Sequence, residues 1–143
     1  MGQQNREDVM KLEGGCYCGK VRYQAEGEAM MAAQCHCREC QYFSGGGPNM
    51  FVAMPVNGFT YTASQPKQFT RSDLERAVTR EFCGECGTHM VTRVPGLPAV
   101  VLKVGTFDDP ALFNPQVAIY TCDKQAFHHV PEGMPAFEKL PAR

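Results

Sequence analysis

The sequence predicts a mainly β protein of mostly antiparallel, twisted sheets with few short helices. Short segments of alternating polarity recur along the chain, turn-forming residues separate them, and helical signals are sparse. Strands packed this densely along a chain point to an antiparallel β architecture rather than to strand–helix–strand units.

Taken in order, the expected strands are Val21–Ala25, Met50–Met54, Phe59–Thr62, Ala77–Phe82, Met90–Val94, Val100–Val104 and Val117–Tyr120. Gly45-Gly46-Gly47-Pro48, Asn57-Gly58, Pro95-Gly96 and Leu97-Pro98 interrupt pairing and reverse the chain between them. Asp109 before Pro110 can cap one helical turn running to Phe113, and the residues after Cys37 can form a second. The tail from Gln125 contains three prolines, which predict irregular packing. No repeat, low-complexity run or linker divides the chain. Residues 1–12 read as an N-terminal extension and residues 13–143 as a single domain.

A chain of 143 residues with 43% hydrophobic and 20% charged residues can bury one ordinary core. Fourteen lysines and arginines nearly balance fifteen aspartates and glutamates, so no global field selects nucleic acid or an anionic membrane as partner. Glycine and proline break every apolar run before it reaches the roughly 20 residues that span a bilayer. Met1 to Glu13 is polar and charged, unlike a secretory signal or a transit peptide, which predicts a cytoplasmic protein.

Eight cysteines then require an explanation other than disulfides, because the cytosol keeps ordinary thiols reduced. Their spacing points to metal. Cys16-Tyr17-Cys18 and Cys83-Gly84-Glu85-Cys86 each offer half of a tetrahedral thiolate site, and together they make a closed set of four. Residues two apart share a face of an extended segment, so Cys16 and Cys18 can aim at one ion. Gly15, Gly19, Gly84 and Gly87 flank both pairs, where the chain must bend closely around a metal. The third group, Cys35, Cys37 and Cys40, places three thiols within six residues. Three protein ligands plus an exchangeable position is the usual catalytic arrangement of zinc, so this triad is the candidate active site.

Seven thiolates outweigh two zinc dications, and nearby cations would offset the excess. Lys20, Arg22, Arg38 and Arg80 lie close to the ligands in sequence but read equally well as solvated surface charges. His36, His89 and Cys122 are the alternatives for a fourth triad ligand, and non-ligand is the better reading of each. His36 would point away from its flanking cysteines, His89 reads as a strand residue, and Cys122 reads as a small buried residue in an apolar strand.

Three spaced motifs resemble the glutathione-dependent formaldehyde-activating enzyme family, which also includes centromere protein V-like domains. They are Gly14-Gly15-Cys16-Tyr17-Cys18-Gly19-Lys20-Val21-Arg22-Tyr23, Cys35-His36-Cys37-Arg38-Glu39-Cys40-Gln41 and Arg80-Glu81-Phe82-Cys83-Gly84-Glu85-Cys86-Gly87. The resemblance implies stacked antiparallel sheets, a structural zinc on Cys16, Cys18, Cys83 and Cys86, and an active-site zinc on Cys35, Cys37 and Cys40. It also implies a carbon–sulfur lyase whose small thiol substrate is glutathione, joined to formaldehyde as S-hydroxymethylglutathione. The family often has His before the isoleucine of its late strand and Trp a few residues later. This chain has Ala118 and Phe127 there, which points to altered substrate handling.

In the enzyme reading, zinc on the triad lowers the pKa of a bound thiol, whose thiolate attacks an electrophilic carbon. No Asp, Glu or His stands out for the proton transfer. The competing readings are a non-catalytic, zinc-stabilised protein-binding module and a redox protein using Cys83 and Cys86. The second lacks the βαβ context of such dithiols.

Overall fold

The computed structural model describes residues 9–141, within which two sheets form the body of the protein. The strands are β1 (Val9–Gly15), β2 (Arg22–Glu28), β3 (Met31–Cys35), β4 (Asn49–Pro55), β5 (Phe59–Ala63), β6 (Lys67–Thr70), β7 (Thr79–Phe82), β8 (His89–Arg93), β9 (Ala99–Lys103) and β10 (Val117–Ile119). One α-helix, α1 (Arg38–Ser44), links β3 to β4. A three-stranded sheet has the order β1-β2-β5, and a seven-stranded sheet the order β10-β3-β4-β9-β8-β7-β6. Every pairing is antiparallel except β10 with β3. The mainly β, antiparallel expectation therefore holds.

Three strands lie outside the seven expected from the sequence. β1 mixes Lys11 and Glu13 with a wholly buried Leu12, and pairs along its length with β2. It starts at Val9, so residues 9–12 are part of the sheet, while residues 1–8 of the expected extension lie outside the described residues. β3 is covered on both faces: Ala33, Gln34 and Cys35 are all buried, which erases the period of two. β6 is a sheet edge with all four residues exposed.

The small sheet packs on one face of the large one. Leu12, Tyr23 and Ala25 meet Val52, Met54, Met90 and Leu102 in the main core. β4 alternates between two cores, since Phe51 and Ala53 turn the other way to join Ala33, Cys35 and Ile119. Burying each larger side chain of β4 contributes about 1.5–3 kcal/mol. The consequence for function is that Cys16 and Cys83 belong to the first core and Cys35 to the second.

α1 starts where Cys37, in extended conformation, accepts the Cys40 N–H on its Sγ at 3.2 Å. It stops at Gly45, whose φ of 85° closes the last turn. Asp109 caps a single 3-10 turn, Pro110–Leu112, by accepting the Ala111 N–H. The tail from Gln125 is irregular up to Pro141 apart from a bridge to β10, made by Ala118 N–H to Pro135 O and Phe137 N–H to Ala118 O. No described helix is long and apolar enough to cross a membrane.

Candidate functional site

The first cysteine cluster is assembled by two turns. Cys16, just past β1, and Cys83, just past β7, are buried, while Cys18 is exposed and Cys86 half-buried. Each turn closes with a backbone bond, Gly19 N–H to Cys16 O at 3.1 Å and Gly87 N–H to Cys83 O at 2.8 Å. Both glycines take positive φ, 82° and 80°, which a side chain would strain. The four Sγ atoms lie within 4.8 Å of one another. Cys16 to Cys18 is 3.6 Å and Cys18 to Cys83 is 3.8 Å. Sulfurs at zinc-bond length around a tetrahedral ion sit about 3.8 Å apart, so this set fits such an ion without rearrangement. Backbone N–H groups of Val21, Glu85 and Cys86 donate to the sulfurs of Cys16 and Cys83. The Cys86 thiol is drawn down to about 5, first by the Thr88 hydroxyl and then by backbone donors.

The second cluster brings Cys35, at the end of β3, together with Cys37 and Cys40 at the start of α1. Their pKa values diverge. Cys37 is drawn down to about 3, first by hydrogen bonds with Cys35 and Cys40 and last by the charge of Arg80. The same neighbours, with burial, push Cys35 up. Three thiols in one pocket cannot all ionise unaided, and a central dication removes that conflict, so the donor set fits a metal here too.

The three alternatives for a fourth ligand do not join this cluster among the described residues. His36 is excluded by its hydrogen bonds. His128 Nε2 faces the Gly46 carbonyl at 2.8 Å and must donate to it, and its Nδ1 accepts from Gln125 N–H. His36 Nδ1, 2.9 Å from that nitrogen, therefore carries a proton. His36 Nε2 accepts from the Gln34 amide, whose other proton goes to His129 O. Both ring nitrogens of His36 are committed. His89 Nε2 donates to the Val91 carbonyl at 3.1 Å, while its Nδ1 is buried without a partner. Cys122 is exposed, not buried in a strand as its apolar surroundings suggest. β10 ends at Ile119, Tyr120 adopts a left-handed φ of 55°, and the chain turns into the 3-10 segment Thr121–Asp123.

α1 lies over a face of the large sheet that sequence reading did not reveal as a site. β-sheet register places Asn49 opposite Cys35 and Lys103 opposite Phe51, so these side chains share the face of the second core. Lys103 Nζ donates to Asn49 Oδ1 at 2.7 Å, and burial, first, lowers its pKa to about 8. Arg80, with its side chain 9% exposed, donates to Glu39 of α1 at 2.5 Å and stacks 4.0 Å from the centre of the Phe43 ring. The His89 ring lies 5.3 Å from that of Phe43, and its pKa falls to about 4 through burial and then the charges of Lys103 and Arg80. Arg80 is thus a site cation rather than a solvated one. Of the other cations near the ligands, Arg22 pairs with Asp108, Lys20 lies 3.9 Å from Glu85, and Arg38 stacks over Tyr42. The available signal for Lys103 was a lysine closing an otherwise apolar strand.

A two-sheet β fold carrying a four-thiol cluster on one side of its main sheet and a three-thiol cluster on the other defines a small protein built around two cysteine clusters that could each hold a metal ion. Residues 11–123 match the glutathione-dependent formaldehyde-activating enzyme family, and the chain belongs to that family. The fold is similar to the crystal structure of a Rhodobacter sphaeroides protein, a structural genomics target, with a TM-score of 0.56 and 14% identity over 87% of this chain and 98% of that one. No curated protein matches the chain.

Proposed function

We propose that the protein is a two-zinc carbon–sulfur lyase that adds a small thiol, glutathione, to formaldehyde and releases it again. Family membership supports the reaction class, and the all-thiolate donor sets support zinc. Cys16, Cys18, Cys83 and Cys86 are the ligands of a structural ion, and Cys35, Cys37 and Cys40 those of the active-site ion. The observation that carries the proposal is the triad itself: three gathered thiols, with both nitrogens of the adjacent His36 already committed.

Cys35, Cys37 and Cys40 would hold the zinc, which when bound would supply Lewis acidity and lower the pKa of a thiol substrate. The chain's own residues hold that arrangement. Asn49 fixes the Lys103 ammonium beside Cys35, and Glu39 ties Arg80 beneath α1, so two cations offset the thiolates and favour an anionic substrate. Phe43 and Phe51 flank them with apolar surface that limits water around the site.

Exchange spectroscopy of 13C-formaldehyde with glutathione tests this. Wild type with two zincs should exchange the label well above the uncatalysed rate, and Cys37→Ala should not. Exchange at the uncatalysed rate by the zinc-loaded wild type would remove this reaction as the function and leave the zinc-stabilised binding module in its place.

A further inference from the structure

The addition of a thiolate to a carbonyl needs a proton at the oxygen, and the described carboxylates and histidines near the triad do not offer one: His89 Nδ1 has no partner, but with the ring proton on Nε2 it has none to give. Glu39 is paired to Arg80, His36 is locked by Gln34 and His128, and Glu81 accepts from Tyr61, Gln68 and Arg93. Lys103 differs from these. It is the last residue of β9 and faces the triad side of the sheet, and among the described residues its ammonium hydrogen-bonds Asn49, the residue directly opposite Cys35. Residues opposite each other in an antiparallel pair have Cβ atoms about 4.5–5.5 Å apart. The ammonium is thereby held by a side chain that stands next to Cys35.

We propose that Lys103 is the general acid and base of the reaction, its Nζ giving a proton to the carbonyl oxygen as the carbon–sulfur bond forms and taking it back as the bond breaks. This inference rests on the lyase reading above. In the forward direction the thiolate electron pair makes the C–S bond, the C=O π pair moves to oxygen, and that oxygen takes the Lys103 proton. The neutral amine is then reprotonated by water, which has received the proton the thiol lost. The sum is thiol plus formaldehyde giving the hydroxymethyl thioether.

The surroundings suit an amine that changes state near neutral pH. Cys35 of β3 and Cys37 and Cys40 of α1 favour its charged form, while burial and Arg80 of β7 oppose it, and His89 of β8 stays neutral beside it. An acid or base works best with its pKa near the operating pH.

Two variants and one labelling experiment test the assignment. Lys103→Arg keeps the charge and the bond to Asn49 but cannot release its proton. It should retain two zincs and the wild-type melting temperature while losing about 10²-fold in label exchange, and Lys103→Met should do the same. A lysine that served only to balance charge would leave Lys103→Arg active, and that result overturns the proposal. Independently of turnover, acetic anhydride labelling of the zinc-loaded protein, read by mass spectrometry, should modify Lys103 at lower pH than the exposed lysines. The 2-hydroxyethyl thioether of glutathione, a stable stand-in for the adduct, should protect it. Absence of protection also overturns the proposal. If wild type itself fails to exchange label, the lyase reading falls, and protection of Lys103 still decides whether its Nζ meets the bound hydroxyl.

Discussion

The two cysteine clusters use the same ligand chemistry and sit on opposite sides of one sheet, yet they are built for different ends. Cys16 and Cys83 are sealed into the main core, and both halves of that cluster are tight turns closed by backbone bonds. Cys35, Cys37 and Cys40 come from the junction of a strand and a seven-residue helix, with a lysine, an arginine and a histidine on the floor beneath. Four thiols whose nearest charges, Lys20 and Glu85, are exposed suit a structural staple. Three ligands among buried cations make a place where an anionic ligand can arrive.

The largest effect should separate the two at once. Cys83→Ala removes a buried thiol of the four-cysteine cluster, where a structural zinc would contribute about 10–16 kcal/mol, comparable to the whole stability of a domain. The variant should fail to give a cooperative thermal transition, and a normal melt would show that this cluster does not hold the fold. Cys37→Ala should instead keep the fold, lose one of two zincs and lose catalysed exchange. A variant that unfolds would make the triad structural as well.

Between the clusters runs β7, which sends Arg80 to the triad side and Glu81 to the other. Glu81 is buried, which raises its pKa, but hydrogen bonds from Arg93, Tyr61 and Gln68 outweigh burial and hold it below its usual 4.5. Its contribution is therefore complete above that value and is lost as pH falls through the depressed one. Glu81→Gln should lower stability by about 2–3 kcal/mol at pH 7, the part-exposed Arg93 reducing the usual cost of breaking a buried pair. The difference from wild type should shrink in acid, as chemical denaturation across pH would read. A constant difference down to pH 2 would sever Glu81 from the acid response. Smaller still, His128→Ala removes the acceptor of the His36 proton and should cost about 1–3 kcal/mol in a thermal melt while both zincs remain. Loss of the second zinc would mean that the His36–His128 bond positions the triad.

How far these features could be read from the chain depends on how local they are. The cysteine spacings are local, so both clusters were legible as groups, and the strands of the half-buried type showed their alternation. β3 was not legible because both its faces are covered, nor was β6 because all its residues are exposed. Lys103 and Asn49 are 54 residues apart and meet only through the β4–β9 register, so no motif could pair them. Cys122 was misread because apolar neighbours suggested a strand, whereas Tyr120 turns the chain outward. Arg80 looked like any cation beside a ligand until Glu39 and Phe43 enclosed it.

The difference between the clusters is open to one spectroscopic measurement, zinc K-edge X-ray absorption on the wild-type protein in thiol-free buffer. One closed and one open site predict an average of about 3.5 sulfur neighbours per zinc at close to 2.3 Å, with a light-atom shell from the open position. Adding glutathione should raise the sulfur count to about 4 as the light-atom shell disappears. Four sulfurs on every zinc before any thiol is added would contradict the account, because the triad would then have a fourth protein thiolate and no place for a substrate.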